Sequence, residues 1–242
     1  MSDAASKTPP PSKLLWAAEL PRGVWGLASL FWGGSILSGA AKGDGRPIMI
    51  LPGLVNADRS NMAMRHYLNR LGYRARGWGL GRNFGARAIG PEGEKLLEHI
   101  RRFHGETGEP VTLVGISLGG IMARFAAQRA PELVREVITV SSPFAGSPRA
   151  TNVWRAFELL TGDRIDSARV LAQAAEIAAP LKVPATAIFS RSDGLVNGEI
   201  CHSDDPGCRN IEIRSSHLGV QVRPETLRAI ADVLAGRYDA PR

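Results

Sequence analysis

The chain of 242 residues has room for one sizeable α/β domain but not for a second full domain beside it. With 44% hydrophobic and 22% charged residues it has the composition of a folded globular protein, which excludes a disordered one. The net charge of +7 raises the question of a nucleic-acid partner. The basic residues are nearly all arginines scattered among acids, without a long like-charge run or a basic–aromatic strip, so no nucleic acid is expected.

Residues 1–12 are polar and proline-rich and read as a loose tail. "GVWGLASLFWGGSILSGAA", residues 23–41, is uncharged between Arg22 and Lys42 and approaches membrane-spanning length. Its glycines weaken a helix in water, and it starts too late for an ordinary secretory signal. Three readings stand: an apolar helix pair lying on the domain, which is the expectation; a peripheral membrane contact through residues 14–41; and an uncleaved anchor. A cytoplasmic location, with membrane association left open, is expected over secretion. Residues 1–45 are thus set apart from a domain over 46–242.

From residue 47 strands and helices alternate. "PIMILP" is the apolar run of a buried parallel strand. Ser60 is the expected N-cap of a helix whose inner face is Met64, Tyr67, Leu68 and Leu71, stopped by Gly72. "YRARGWG" reads as a strand, and Pro91 opens a helix facing inward through Leu96, Leu97, Ile100 and Phe103. "VTLVGI", "LGGIMARFAAQRA" and "EVITVSS" continue as strand, helix and strand. Residues 147–182 give two helices without a strand, marked by Val153, Trp154, Phe157 and Leu160 and then Val170, Leu171, Ala174 and Ile177. Strands "TAIFS" and "NIEIR" and a final helix over Leu227, Ile230 and Leu234 complete the chain. The expected fold is α/β: a mostly parallel sheet covered by helices on both faces, with a small helical cap at 147–182 over its carboxyl edge. Cys201 and Cys208, with six residues between them in "CHSDDPGC", leave a bridge and two free thiols equally open, and their spacing is not that of a zinc site.

"GISLG" stands between a strand and a helix, as a reactive serine on a sharp turn requires. Gly115, Gly119 and Gly120 supply the space that such a turn needs, whereas an ordinary capping serine at position 117 would not need them. Ser117 is therefore the candidate nucleophile, and it needs a base oriented by a carboxylate. Of the five histidines, His217 follows the strand "NIEIR" at the same sheet edge, while His202 lies in the cysteine loop. Asp193 stands just past "TAIFS"; Asp58, Asp163 and Asp166 are poorer placed. Backbone N–H groups of Leu118 and of Leu54 in "LPGLVN", with Val55 the near alternative, would form an oxyanion hole.

"LPGL", "GYRARGWGLGRN", "LVGISLGG", "VSSPF", "SRSDGLV" and "SSHLG" together resemble the lipase and esterase branch of the α/β-hydrolase superfamily, over roughly residues 46–236. The resemblance implies a triad on Ser117, Asp193 and His217, with no metal and no organic cofactor. "SSHLGV" departs from relatives with a glycine before the histidine segment, which touches the local turn more than the chemistry. The expected function is hydrolysis of a small-molecule carboxylic ester, apolar or lipid-like, through an acyl-serine intermediate. Two alternatives remain: an acyltransferase or thioesterase using the same triad, and a non-catalytic binding protein on a hydrolase scaffold.

Overall fold

The computed structural model describes residues 8–238, apart from the side chains of residues 30–32. Its centre is a six-stranded sheet in the order β2-β1-β3-β4-β5-β6, formed by β1 (Pro47–Leu51), β2 (Arg74–Gly77), β3 (Val111–Ile116), β4 (Val134–Val140), β5 (Ala185–Phe189) and β6 (Cys208–Glu212). Every neighbouring pair is parallel. The helices are α1 (Lys13–Ala17), α2 (Glu19–Trp32), α3 (Gly34–Leu37), α4 (Met62–Leu71), α5 (Ala86–Ile89), α6 (Glu94–Thr107), α7 (Leu118–Arg129), α8 (Trp154–Thr161), α9 (Ala168–Ala178) and α10 (Pro224–Leu234).

The sheet is covered on both faces, which is why its inner strands are continuous apolar runs. Successive side chains of β1 part company: Ile48 and Ile50 join Leu68, Leu227 and Ile230 on the face covered by α4 and α10. Met49 and Leu51 join Leu96, Ile100 and Ala123 on the face covered by α6 and α7. The edge strands carry the polar load; in β6 only Cys208 is buried, and the following positions to Glu212 alternate between half-buried and exposed. Chain order reverses between β1 and β3, so the crevice at their carboxyl ends is the switch point where open sheets bind ligands.

The two helices of the 147–182 segment, α8 and α9, stand above that edge. Arg124 of α7 ties the cap down from below: it is buried, its Nε donates to Ile177 O at 2.7 Å and its Nη2 to Ala179 O at 2.8 Å. These are terminal carbonyls of α9, which have no partner within their own helix. The guanidinium also lies 4.1 Å from the centre of the Phe144 ring. Gln128 Nε2 adds a bond to Glu176 O at 3.0 Å.

The structure departs from the sequence expectations at Ser60 and at the tail, and it decides between the two readings of the cysteines. Ser60 is not the N-cap of α4; a 3-10 turn over Asp58–Asn61 precedes the helix, and Ser60 Oγ donates to Ala57 O instead. The expected loose tail is pinned over its described part, since Asn197 Nδ2 donates to Pro9 O and Asn152 Nδ2 to Pro11 O; residues 1–7 of that tail lie outside the described residues. Cys201 and Cys208 are both buried free thiols. Of the readings for residues 23–41, the structure has α2 lying on the domain, and no described helix is long and apolar enough to cross a membrane.

Arg124→Ala should destabilise the protein by roughly 2–3 kcal/mol, because buried carbonyls lose a charged donor. Urea denaturation checks this, and Gln128→Ala should cost less.

Candidate active site

Ser117 lies where β3 gives way to α7, with φ 51° and ψ −119°. That left-handed backbone is unusual for a residue with a side chain, and glycine neighbours make it possible. A Cβ on Gly119 would overlap the Leu51 and Pro52 carbonyls, one on Gly120 the Ser142 hydroxyl, and one on Gly115 the backbone of Gly119 and Gly120. Ser117 N–H donates to Val140 O at 2.8 Å, fixing the turn to β4. Although Ser117 occupies the N-cap position of α7, its hydroxyl caps nothing in the helix. It is turned instead to the histidine.

His217 Nε2 lies 3.0 Å from Ser117 Oγ and its Nδ1 lies 2.7 Å from Asp193 Oδ2. A carboxylate can only accept, so Nδ1 carries the proton, and Nε2 is left to accept from the serine. Asp193 is buried, and its other oxygen accepts from the N–H groups of Leu195 and Val196, both at 2.9 Å. The carboxylate therefore has little freedom to turn. Burial alone would lower the His217 pKa, but the charge and hydrogen bond of Asp193, with Glu19 adding to them, hold it above its ordinary value.

The loop after β1 approaches Ser117 through Gly53, where a Cβ would sit 3.4 Å from Ser117 Cβ. Val55 N–H donates to Asn83 O at 2.8 Å, so it is already engaged. Among the described residues the N–H groups of Leu54 and Leu118 take no backbone partner. This favours Leu54 over its neighbour as a donor toward a developing oxyanion, with Leu118 at the positive end of α7. Asn83, fully buried, holds this loop: its Nδ2 donates to Pro52 O at 2.7 Å, and its backbone N–H donates to Asn56 O at 2.8 Å. Nothing in the pattern of "GYRARGWGLGRN" marks Asn83 for this role.

A cavity of about 200 Å³ opens beside Ser117. Leu54, Ser117 and Leu118 line its floor, Ile121 and Phe125 of α7 a wall, and Trp154, Phe157 and Ile177 of the cap its roof. The other candidates stand apart from it in bonding. Asp58 accepts from Trp78 N and Gly79 N, Asp166 pairs with Arg149, and Asp163, although it lines the cavity, pairs with Arg169. His202 packs on Phe189, with ring centres 4.7 Å apart.

Glu19 was not a sequence candidate. It is buried, and its carboxylate accepts from Gly194 N at 2.7 Å, His217 N at 3.1 Å and Leu218 N at 2.9 Å. A lone glutamate ahead of an apolar helix gave no sign of such partners.

The profile of the family described as "alpha/beta hydrolase fold" matches residues 97–179. The chain is similar to a triacylglycerol lipase of Pseudarthrobacter phenanthrenivorans, 41% identical over 56 residues, which cover 23% of this chain and 18% of that protein. The matched stretch thus spans under a fifth of that relative. Among solved structures, an α/β-hydrolase enzyme from a metagenome of Mar Chica lagoon sediments superposes with a TM-score of 0.54 at 22% identity, covering 81% of this chain and 93% of that one. Lipase B of Aspergillus fumigatus does so at 0.60 and 18% identity, covering 84% and 56%. The sheet order, the serine turn and these matches agree on the fold: the chain has the α/β-hydrolase fold.

Only neutral His217 can accept a proton, so reaction at Ser117 is lost as pH falls through the raised pKa. The rate of Ser117 modification by a fluorophosphonate should therefore rise with pH through a midpoint above about 6.5, the ordinary imidazole value. Asp193→Asn should slow that labelling by roughly 10⁴-fold, as the imidazole loses its tautomer and orientation.

Proposed function

We propose that the chain is a serine hydrolase that cleaves carboxylic esters with an apolar acyl or alkyl part, through an acyl-serine intermediate. The observation that carries this reading is the unbroken relay from Asp193 through His217 to Ser117 Oγ, opening into an apolar cavity. His217 Nε2 takes the Ser117 proton as Oγ attacks the ester carbonyl carbon. The carbonyl oxygen becomes an oxyanion facing the N–H groups of Leu54 and Leu118. When the tetrahedral intermediate collapses, the C–O bond to the alcohol breaks and His217 returns the proton to the leaving oxygen. His217 then deprotonates a water that attacks the acyl-serine, and the acid leaves as Ser117 is restored.

The apolar roof excludes water from the acyl part and suits a hydrocarbon chain. The matched relatives named triacylglycerol lipase support an ester as the substrate class, through stretches of 56 and 66 residues. An assembled relay beside a cavity weighs against a scaffold that only binds.

A chain-length series of chromogenic esters tests the reading. Turnover is expected with apolar acyl groups, and Ser117→Ala should lower kcat by about 10⁴-fold or more. A silent series together with a serine left unmodified by a fluorophosphonate would refute it. Adding alcohol acceptors and counting free acid against transferred acyl product separates hydrolysis from acyl transfer.

The proposal extends to peripheral contact with a lipid surface. Leu14, Trp16, Leu20, Val24, Trp25 and Leu27 are all more than half exposed. On α2, Leu20, Val24 and Leu27 follow the i, i+4, i+7 spacing of one helix face. Such a ridge on a chain of net charge +7 suits an anionic bilayer surface. Sedimentation with phosphatidylglycerol vesicles should carry the protein down, and replacing Leu20, Val24 and Leu27 together by Ser should weaken partition by roughly tenfold or more. Equal partition of both proteins would remove the lipid contact from the reading.

A further inference from the structure

The helix α2 meets the domain through an unusual face. Leu20, Val24, Trp25 and Leu27 are exposed on it, while Glu19, Gly23 and Gly26 are buried against the domain. The glycines are there for close approach. A Cβ on Gly23 would lie 2.9 Å from Leu218 Cβ, and one on Gly26 3.3 Å from Arg223 Cδ. On the other side, a Cβ on Gly194 would overlap the Leu15 carbonyl. Backbone is thus pressed against backbone where the loops of Asp193 and His217 meet the amino-terminal helices.

Into this contact the chain places one carboxylate. Glu19 Oε1 accepts from both Gly194 N and His217 N, and Oε2 accepts from Leu218 N. Gly194 follows Asp193, and His217 is the histidine itself, so one buried group bonds the backbone of both loops. Two further pairs of hydrogen bonds surround it. Arg22 Nη1 donates to Ser192 O at 2.6 Å and its Nη2 to Ser192 Oγ at 3.0 Å. Ser190 Oγ donates to Ser215 O at 2.9 Å, and Ser215 N donates back to Ser190 Oγ at 3.0 Å.

We propose that Glu19 is a positioning residue: from a helix that does not line the cavity, it locks the backbone of the acid loop to that of the histidine loop, and so sets the distance of His217 to both Asp193 and Ser117. Resting on the serine-hydrolase reading for its effect on rate, this makes the amino-terminal segment a working part of the site. Glu19 touches no reacting atom. It acts through the main chain of His217 and through its negative charge. The charged groups facing His217 are Asp193 from the loop after β5 and Glu19 from α2. Both favour the imidazolium, so removing the charge of Glu19 lowers the His217 pKa and moves the acid limb of the rate profile to lower pH.

The test compares full-length wild type with Glu19→Gln and Glu19→Asp, using a soluble short-chain ester and, in parallel, NMR titration of His217. Glu19→Gln should lower kcat by roughly 10–100-fold with KM little changed, and should lower the His217 pKa. Glu19→Asp, which keeps the charge, should retain more of both. A folded Glu19→Gln protein with wild-type kcat and an unmoved His217 titration overturns the proposal. Amide exchange in the wild type covers the case in which neither variant folds: the N–H groups of Gly194, His217 and Leu218 should be protected like core amides, and exchange at open-loop rates overturns the proposal as well. The NMR and exchange measurements need no turnover, so a wild type inactive on every ester sinks the hydrolase reading while leaving Glu19 to be judged on its own.

Discussion

The backbone of Ser117 is the constraint on which the rest of this structure turns. A residue with a side chain is held at φ 51° only because three glycines let the start of α7 press against the ends of β1 and β4. Conformations of this kind cost about 1–3 kcal/mol and persist where the surroundings over-determine them. Here the surroundings are a sheet buried on both faces. Val55 and Ser141 also have positive φ, at 58° and 46°. All three lie just beyond strands β1, β3 and β4, so the strain gathers along one edge of the sheet, around one crevice. The hydroxyl of Ser117 bonds to nothing in its own helix and faces His217 there instead.

A second constraint follows from parallel strands. They bring every strand's carboxyl end to the same edge, so a donor loop, a hydroxyl, a carboxylate and an imidazole can be supplied by four different connections. What the sheet does not supply is the fine spacing between the last two. That falls to α2, a helix whose outward apolar face and inward glycine face reverse the usual arrangement of a surface helix. Its glycines give up propensity in exchange for contact distance, and its buried carboxylate is kept satisfied by three N–H donors.

Much of this was legible in the sequence. "PIMIL", "VTLVGI" and "TAIFS" announce buried strands because only a doubly covered sheet tolerates such runs. The glycines around Ser117 announce the turn because no other residue fits there. Asp193 and His217, which the structure brings within hydrogen-bond distance of each other, are singled out by their places after strands, although His217 lies five residues past the end of β6 rather than directly behind it. Glu19 and Asn83 were not found as site residues. Their partners are main-chain groups, and those of Glu19 lie 175 to 199 residues away in the chain. A backbone N–H leaves no letter in a sequence. Ser60 misled for the opposite reason: its letter suits a cap, but the chain makes a 3-10 turn first and the hydroxyl bonds within it. The pinning of residues 9 and 11 depends on Asn197 and Asn152, which no local pattern connects to them.

The distance between Glu19 and its partners also bears on how the protein is made. Synthesis runs from the amino end, so the ribosome delivers Glu19 of α2 199 residues ahead of Leu218, against which it docks. Until Leu218 and Arg223 emerge, the glycine face of α2 has no counterpart, and Leu20, Val24, Trp25 and Leu27 stand beside it on an unfinished chain. Contacts of such sequence separation form late, because the intervening loop must be closed before they give any return. The nascent chain thus carries this apolar segment uncovered until its counterpart is made, and the docking of that segment is also the event that completes the histidine loop.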